Sequence, residues 1–209
     1  MCFPKHLLDG YGAFREFRMR RESAIFKELA KQGQNPKTML IGCSDSRVAP
    51  ESIFDVGPGE IFVVRNVANI VPPYSPDNAY HGTSAALEFA VRVLQVENIV
   101  VMGHGHCGGV QAALCNESFQ ENDFIGPWIS MMDDLAQRIR NDKKIPEHEK
   151  MRHMEQQNVI ASIENLYTFP WIKSAFDNGT LQLCGAWFDV SEGTLEILDT
   201  AKGQFVTAQ

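Results

Sequence analysis

The amino-acid sequence predicts an α/β fold: a mainly parallel central β-sheet flanked by helices, with an N-terminal helical arm and an edge strand at the C-terminal end. Short apolar runs rich in β-branched residues alternate with segments of helical periodicity, which is the order of elements in such folds. The runs are apolar at consecutive positions, as in parallel strands buried on both faces. We expect one domain over residues 1–209, with the arm over 1–36.

The first elements follow from the apolar pattern and from the residues that end helices and strands. Residues 7–32 are expected to form a helix with a polar face, ended by Gly33 and Pro36. A short apolar strand follows over 38–43. A second strand, over 61–65, is rich in β-branched residues and lies between turns that contain Gly and Asn.

The later elements continue the alternation of helix and strand. They are, in chain order, a helix over 79–95, a strand over 99–102, a helix over 108–114, a mostly helical region over 124–176, and closing strands over 181–190 and 194–198. The helical region is interrupted near Pro146 and Pro170, because proline cannot continue a helix. A turn at Glu192 and Gly193 joins the two closing strands.

Composition and charge argue against several classes of protein. The net charge of −7 argues against binding to nucleic acids or anionic membrane surfaces, because proteins bind these through clustered Lys and Arg. No apolar run approaches the ~18 residues of a membrane span, and the N-terminus lacks the apolar segment of a signal peptide. The five cysteines are irregularly spaced, unlike a secreted disulfide framework. We therefore expect a cytoplasmic protein whose thiols stay reduced, with neither nucleic acid nor membrane as a partner.

Two cysteines and a histidine stand where two predicted strands end. Cys43 closes one apolar run, and His104 and Cys107 follow another within a glycine-rich turn. The carboxyl ends of parallel strands meet at one edge of a sheet, where ligand sites form. Thiolate and imidazole ligands favour zinc, and three protein ligands leave a fourth position for water, as in catalytic sites. We therefore expect a zinc centre at Cys43, His104 and Cys107.

Other interpretations of these residues stay open. Free cysteine is among the most often buried residue types, so each cysteine could be an ordinary core residue. His106 is a rival ligand because it lies beside Cys107, although adjacent residues in an extended turn point apart.

A carboxylate and a guanidinium follow the first cysteine. Asp45 and Arg47 are two residues apart on an extended segment, so their side chains lie on the same side and can pair. The pair would keep Asp45 ionised and off the metal, where it can accept a hydrogen bond from a hydroxide bound to zinc. If the pair breaks, Asp45 can become a fourth ligand. The alternative is a loop salt bridge without consequence.

At these residues the chain resembles the β-class carbonic anhydrases. The resemblance rests on motifs over 43–47, 64–69, 71–74 and 104–109, and more loosely over 185–189. It implies zinc on Cys43, His104 and Cys107 and the reversible hydration of carbon dioxide to bicarbonate and a proton. Zinc-bound hydroxide, oriented by the Asp45–Arg47 pair, would be the nucleophile. It also implies a homodimer or a higher assembly of dimers, with active sites at the subunit interface.

The resemblance further implies a subclass. The family divides into enzymes whose zinc stays open and enzymes that close it with the aspartate. The open, plant-like group carries a glutamine ahead of the first cysteine, which corresponds to Gln34. The closing group carries Trp and Tyr where this chain has Leu40 and Phe188, and only its arginine, Arg65, is present. Without the resemblance, Gln34 is a polar loop residue after a helix.

The resemblance also implies the substrate pocket. Phe62, Val67 and Phe89 would form its apolar wall, with Phe89 standing where related enzymes often carry Tyr. Each of these residues could equally belong to the core. Gly108 would offer its backbone N–H to a substrate oxygen at the start of a helix. His81, His106 or no residue at all could carry the released proton to buffer, and the sequence does not choose between them.

Two rival functions share the same residues. A hydrolase on this zinc scaffold could act on carbon disulfide or carbonyl sulfide and would release sulfide. A non-catalytic zinc or redox-sensing module would hold Asp45 permanently in the fourth position. Gln34, the Asp45–Arg47 pair and the glycine-rich turn argue against that module, because a structural site needs none of them.

Overall fold

A computed structural model describes residues 2–116 and 123–208. The strands are β1 (Thr38–Cys43), β2 (Ile61–Asn66), β3 (Asn98–His104), β4 (Gln182–Phe188), β5 (Leu195–Asp199) and β6 (Gln204–Thr207). The α-helices are α1 (Lys5–Ala13), α2 (Met19–Gln32), α3 (Pro50–Ile53), α4 (Gly82–Glu88), α5 (Gly108–Leu114), α6 (Ile125–Ile129), α7 (Asp133–Asn141), α8 (Lys150–Leu166) and α9 (Pro170–Asp177). Two π-helical segments (Phe14–Arg18, Phe89–Val93) and three 3-10 turns (Val67–Asn69, Ser130–Met132, Glu147–Glu149) complete the described elements.

The predicted α/β sheet is confirmed. In the described residues it has the order β2-β1-β3-β4-β5-β6. Strands β2, β1, β3 and β4 are parallel, β5 is antiparallel to β4, and β6 is antiparallel to β5. The first predicted strand, over 38–43, has the bounds of β1, and the strand over 61–65 is one residue longer as β2. Neither α3 nor β6 was predicted, since each is only four residues long and shows no periodicity.

The N-terminal arm is a helix, as predicted. The π-helical segment Phe14–Arg18 joins α1 to α2 without a break, and Gly33 ends the helix with a positive φ of 81°. None of the described residues of α1 or α2 is buried. Large apolar side chains such as Leu8, Tyr11 and Phe17 are exposed along the arm. The arm therefore carries apolar surface that the described part of its own chain leaves uncovered.

Helices pack closely on one face of the sheet. Helix α8 lies against β3 and β4, and α4 lies against β2. A Cβ on Gly103 would lie 2.7 Å from Val159 Cγ2, so the absence of a side chain at this position lets α8 approach β3 closely. This contact places α8 beside the carboxyl end of β3.

The other face of the sheet carries a smaller buried cluster and an open apolar groove. Leu40, Met102 and Ala186 form the cluster, against which Ile53 of α3 packs. The groove has a volume of about 610 Å³ and runs past Leu40, Val100 and Ile197. Among the described helices, none is both long and apolar enough to cross a membrane.

Candidate metal centre

The carboxyl ends of β1 and β3 bring three candidate ligands together. Cys43 is the last residue of β1, and His104 is the last residue of the neighbouring parallel strand β3. Cys107 caps the N-terminus of α5, after a turn in which His106 has a positive φ of 58°. All three side chains are buried. The predicted convergence of residues distant in sequence is therefore confirmed.

The spacing of the ligand atoms fits a tetrahedral metal. Among the described residues, only one group of three or more His, Cys, Asp or Glu side chains could hold a metal ion. It consists of Cys43, His104 and Cys107, whose ligand atoms all lie within 4.8 Å of one another. The two Sγ atoms are 3.8 Å apart. Two Zn–S bonds of ~2.3 Å at a tetrahedral angle separate the sulfurs by ~3.8 Å. The residues present therefore fit zinc.

The His104 ring is oriented as a metal ligand. Its Nδ1 is 2.9 Å from the carbonyl oxygen of Gly105 and donates to it, which leaves Nε2 as the unprotonated nitrogen. Nε2 is buried and has no hydrogen-bond partner in the described part of the chain. A buried polar atom without a partner is costly, and a cation between the two sulfurs would satisfy it.

The environment favours a thiolate on Cys43. The Cys107 thiol lowers the pKa of Cys43 by hydrogen bonding to its sulfur, and the backbone amides of Asp45 and Ala68 act in the same direction. The same contact raises the pKa of Cys107, because two thiolates at this distance repel one another. A bound cation would remove that repulsion and leave both cysteines as thiolates.

Asp45 and Arg47 form a bidentate ion pair. Arg47 Nη2 is 2.7 Å from Asp45 Oδ2, and Arg47 Nε is 2.9 Å from Asp45 Oδ1. The Arg47 guanidinium holds the pKa of Asp45 well below its usual range. Asp45 is outside the group of three converging ligands in the described residues. It is therefore a fully ionised acceptor beside the centre.

Backbone contacts fix this pair against both ligand-bearing segments. Arg47 Nη2 also donates to the carbonyl oxygen of His106, at 3.0 Å. Arg65 donates from Nε to the carbonyl of Cys43 at 2.8 Å and from Nη2 to that of Asp45 at 2.5 Å. Arg47 therefore ties the Asp45 segment to the turn that carries Cys107, and Arg65 ties the same segment to β2.

The structure divides the predicted substrate residues into two groups. Val67 and Gly108 lie with the metal ligands: Asn66, which precedes Val67, pairs with Cys43, and Gly108 begins α5. In the described residues, nothing lies within 4 Å of a Cβ built on Gly108, so the space in front of it is open. A Cβ on Gly109 would instead meet Val67 Cγ1 at 2.8 Å, which shows how closely α5 approaches Val67.

Gln34, Phe62 and Phe89 lie elsewhere in the chain. Gln34 is exposed, and the next residue, Asn35, lines a pocket with Asn98 and Gln182 at the amino ends of β3 and β4. Cys43 is at the opposite, carboxyl end of β1. Phe62 pairs with Met39 near the start of β1, and its ring centroid is 5.9 Å from that of Phe89. Within one chain these three side chains do not line the metal centre.

The two candidate proton carriers differ in position. His106 is exposed in the turn between His104 and Cys107, with Nε2 3.3 Å from Ser191 Oγ. His81 precedes α4 and pairs with Asp77 at 2.6 Å.

Sequence reasoning missed Glu155, whose buried carboxylate reaches the turn. Oε1 accepts from the Cys107 backbone N–H at 3.0 Å, and Oε2 accepts from Trp187 Nε1 at 3.1 Å. Burial raises the pKa of Glu155, and these two hydrogen bonds oppose that rise. A glutamate within a long helical pattern gives no signal of such a contact, because a solvated face is the ordinary interpretation.

Comparisons with known proteins agree with this geometry. The sequence profile of the carbonic anhydrase family matches residues 38–195. A carbonic anhydrase of Pseudomonas aeruginosa is 36% identical over 203 residues, covering 97% of this chain and 91% of that protein. The structure of the β-carbonic anhydrase CcaA superposes with a TM-score of 0.90 at 32% identity, covering 98% of this chain and 92% of the other. A structure described among two tetrameric β-carbonic anhydrases of Sordaria macrospora has a TM-score of 0.79 at 31% identity, covering 93% and 95%.

Proposed function

The chain belongs to the carbonic anhydrase family, in its β class, and we propose that it hydrates carbon dioxide reversibly at a zinc ion held by Cys43, His104 and Cys107. The observation that carries this proposal is the buried His104 Nε2, which lacks a partner in the described residues, together with the two sulfurs 3.8 Å apart in the same group of ligands. When bound, zinc would act as a Lewis acid that lowers the pKa of a water and makes it nucleophilic.

We propose that Asp45 orients the nucleophile. Arg47 occupies both carboxylate oxygens of Asp45 and keeps the residue ionised and off the metal. A lone pair of the carboxylate remains free to accept a hydrogen bond from the attacking oxygen, which directs another lone pair of that oxygen toward carbon. This arrangement supports the open, plant-like subclass.

Carbon dioxide needs few polar contacts because it carries no charge. Val67 offers an apolar surface beside the centre, and the Gly108 N–H at the start of α5 can donate to the oxygens that become negative as bicarbonate forms. Open space in front of Gly108 gives the substrate room among the described residues. The released proton would leave through exposed His106 or directly to buffer.

We infer that a second copy of the chain completes the pocket. Gln34, Phe62 and Phe89 lie too far along the sheet to line their own metal centre, so they would line that of a partner. The exposed apolar residues of the arm and the open apolar groove support a homodimer, or an assembly of dimers like the tetrameric relatives. The active sites would then lie at the subunit interface.

The proposed compartment is the cytoplasm. All five cysteines are free, and Cys43 and Cys107 must remain reduced to bind a metal.

Zinc analysis together with stopped-flow hydration tests the proposal. The purified chain should contain one zinc per subunit, lose it when Cys43 is replaced by Ala, and hydrate carbon dioxide only in the zinc-loaded form. An exposed cysteine supplies the control, because Cys115→Ala should keep zinc and activity. Zinc binding without hydration at alkaline pH would contradict the enzymatic part of the proposal, and release of sulfide from carbonyl sulfide with no hydration would support the rival hydrolase.

A further inference from the structure

Cys107 is held differently from the other two ligands. Cys43 and His104 are strand residues, so the ladders of the sheet fix their backbones. Cys107 lies beyond β3, in a turn that contains a left-handed residue, and its position depends on contacts outside the sheet. The Cys107 backbone N–H is directed at Glu155 of α8, which lies 48 positions away in the sequence.

Glu155 is an unusual residue for its place in the core. Its side chain is 2% exposed, and in the described part of the chain no Lys or Arg forms an ion pair with it. Its two hydrogen bonds come from neutral donors, the Cys107 amide and the Trp187 indole. Burying a carboxylate with neutral hydrogen-bond donors alone costs free energy that an apolar side chain of the same size would avoid.

Three further polar side chains on the same stripe of α8 form hydrogen bonds with backbone groups. Asn158 donates to the carbonyl of Ala68 at 2.7 Å, Ser162 to that of Asn69 at 3.2 Å, and Asn165 to that of Val71 at 2.8 Å. These residues recur at helical spacing from Glu155 and are buried or half-buried. The stripe therefore holds two loops of the site at once: the metal turn through Glu155, and the loop after Val67 through the other three.

We propose that Glu155 is a positioning residue for the metal centre, holding the Cys107 amide so that the Cys107 sulfur stays at its ligand position. The proposal rests on the zinc site proposed above. Trp187 fixes the second carboxylate oxygen, and the close approach of α8 to β3 at Gly103 fixes the helix relative to His104. Loss of such an outer-shell contact typically weakens metal affinity or activity by about 10- to 100-fold.

A comparison of glutamine and methionine at position 155 isolates the hydrogen bond to Cys107. In the unmodified chain, Glu155→Gln would set an NH₂ against the Trp187 N–H, so both substitutions are made in a Trp187→Phe background. Glu155→Gln keeps an acceptor for Cys107, whereas Glu155→Met keeps the volume and removes the acceptor. Gln156→Met is the control, because it removes a polar contact of the same helix, to Glu196 of β5, without touching the metal turn or the loop after Val67.

Metal affinity and cobalt spectra are the measurements, since neither depends on turnover. Zinc affinity is obtained by competition with a chelator, and Co²⁺ substitution gives thiolate-to-metal charge-transfer bands that report the geometry of the centre. We expect Glu155→Met to bind zinc about 10- to 100-fold more weakly than its Trp187→Phe parent and to shift the cobalt bands. Glu155→Gln and Gln156→Met should match their parents in both measurements.

Equal zinc affinities and cobalt spectra for the methionine and glutamine variants would overturn the proposal. If the methionine variant does not fold, Glu155→Asp decides, because it keeps the charge but withdraws the carboxylate from Cys107. Weaker zinc binding by that variant supports the proposal, and wild-type affinity contradicts it. Failure of the unmodified chain to bind zinc would contradict the zinc site itself and is thereby distinguished from failure of the role of Glu155.

Discussion

At the scale of single residues, the Arg47 side chain binds three acceptor oxygens on two segments of the site. It donates to both oxygens of Asp45 and to the carbonyl of His106, so one guanidinium links the acceptor to the metal turn. This bidentate geometry requires the planar fork of arginine and is not available to the point charge of lysine.

Replacing Arg47 by Lys should therefore reduce the rate although the charge is kept. We expect kcat for hydration to fall by about 10- to 100-fold, because Asp45 loses its fixed orientation. The comparison variant is Arg92→Lys, which changes an exposed arginine that pairs with Glu88 and should leave kcat unchanged. Wild-type kcat in Arg47→Lys would show that the bidentate contact is dispensable.

The pH dependence of the rate follows from the charges at the centre. Two thiolates cancel the charge of a zinc ion, so the pKa of a bound water is lowered less than at a centre with only histidine ligands. Arg47 holds the pKa of Asp45 far below neutral, and Asp45 is therefore ionised throughout the working range. We expect kcat/KM to rise between about pH 6 and 9. A flat profile over that range would contradict this assignment of charges.

At the scale of elements, the metal turn and α5 form a tightly packed unit with the loop after β2. A Cβ on Gly109 would meet Val67 Cγ1 at 2.8 Å and Ala68 Cβ at 3.1 Å, whereas in the described residues nothing lies near one on Gly108. The two adjacent glycines thus have different reasons to lack a side chain. Gly109 permits helix packing, and Gly108 leaves the proposed pocket open.

Alanine at these two positions should separate packing from pocket space. Gly109→Ala forces α5 away from the Val67 loop and should lower the free energy of unfolding by about 1–3 kcal/mol. Gly108→Ala adds a methyl to open space and should leave that free energy nearly unchanged. Urea denaturation of the zinc-loaded variants measures both, and equal stability of the two would contradict the close packing of α5.

Local pattern explains which parts of the site the sequence could predict. Cys43, His104 and Cys107 follow apolar runs, and parallel strands place such ends at one edge, so their convergence needed no knowledge of distant contacts. The bounds of β1 follow from local pattern alone. Glu155 could not be found in this way, because its hydrogen bond with the Cys107 backbone depends on how α8 packs against β3.

The roles of the predicted pocket residues and the presence of β6 could not be read from a local sequence pattern. Gln34, Phe62 and Phe89 are separated from the metal centre by the length of the strands, and their predicted role in the pocket requires a second chain. β6 follows β5 after a short turn and is mostly exposed, so its four residues do not show the apolar run that marks the buried strands.

At the scale of the whole molecule, apolar surface that the described residues leave uncovered supports the proposed assembly. The arm exposes Leu8, Tyr11 and Phe17, and one face of the sheet leaves a groove of about 610 Å³ lined by apolar residues. Exposed apolar surface of this extent marks interaction sites. In our account, assembly also brings the second set of substrate residues to each metal centre.

Charges introduced on the arm should break this assembly. We expect the double substitution Leu8→Glu and Tyr11→Glu to yield monomers by sedimentation velocity, because a carboxylate cannot be buried in an apolar interface without a partner. Carbon dioxide hydration should fall with the assembly. Lys27→Glu places a carboxylate at an exposed polar position of α2 and should leave the oligomer intact. An unchanged oligomer in the double variant would remove the arm from the interface.

The central claim is that Asp45 orients the nucleophile and is not a zinc ligand. Its most direct test is the rate of carbon dioxide hydration in Asp45→Asn, measured by stopped flow together with zinc content. Asp177→Asn is the control, because it removes an exposed carboxylate that pairs with Lys173. We predict full zinc occupancy in Asp45→Asn with kcat reduced by at least about 100-fold. Wild-type kcat, or loss of zinc from the variant, would contradict the claim.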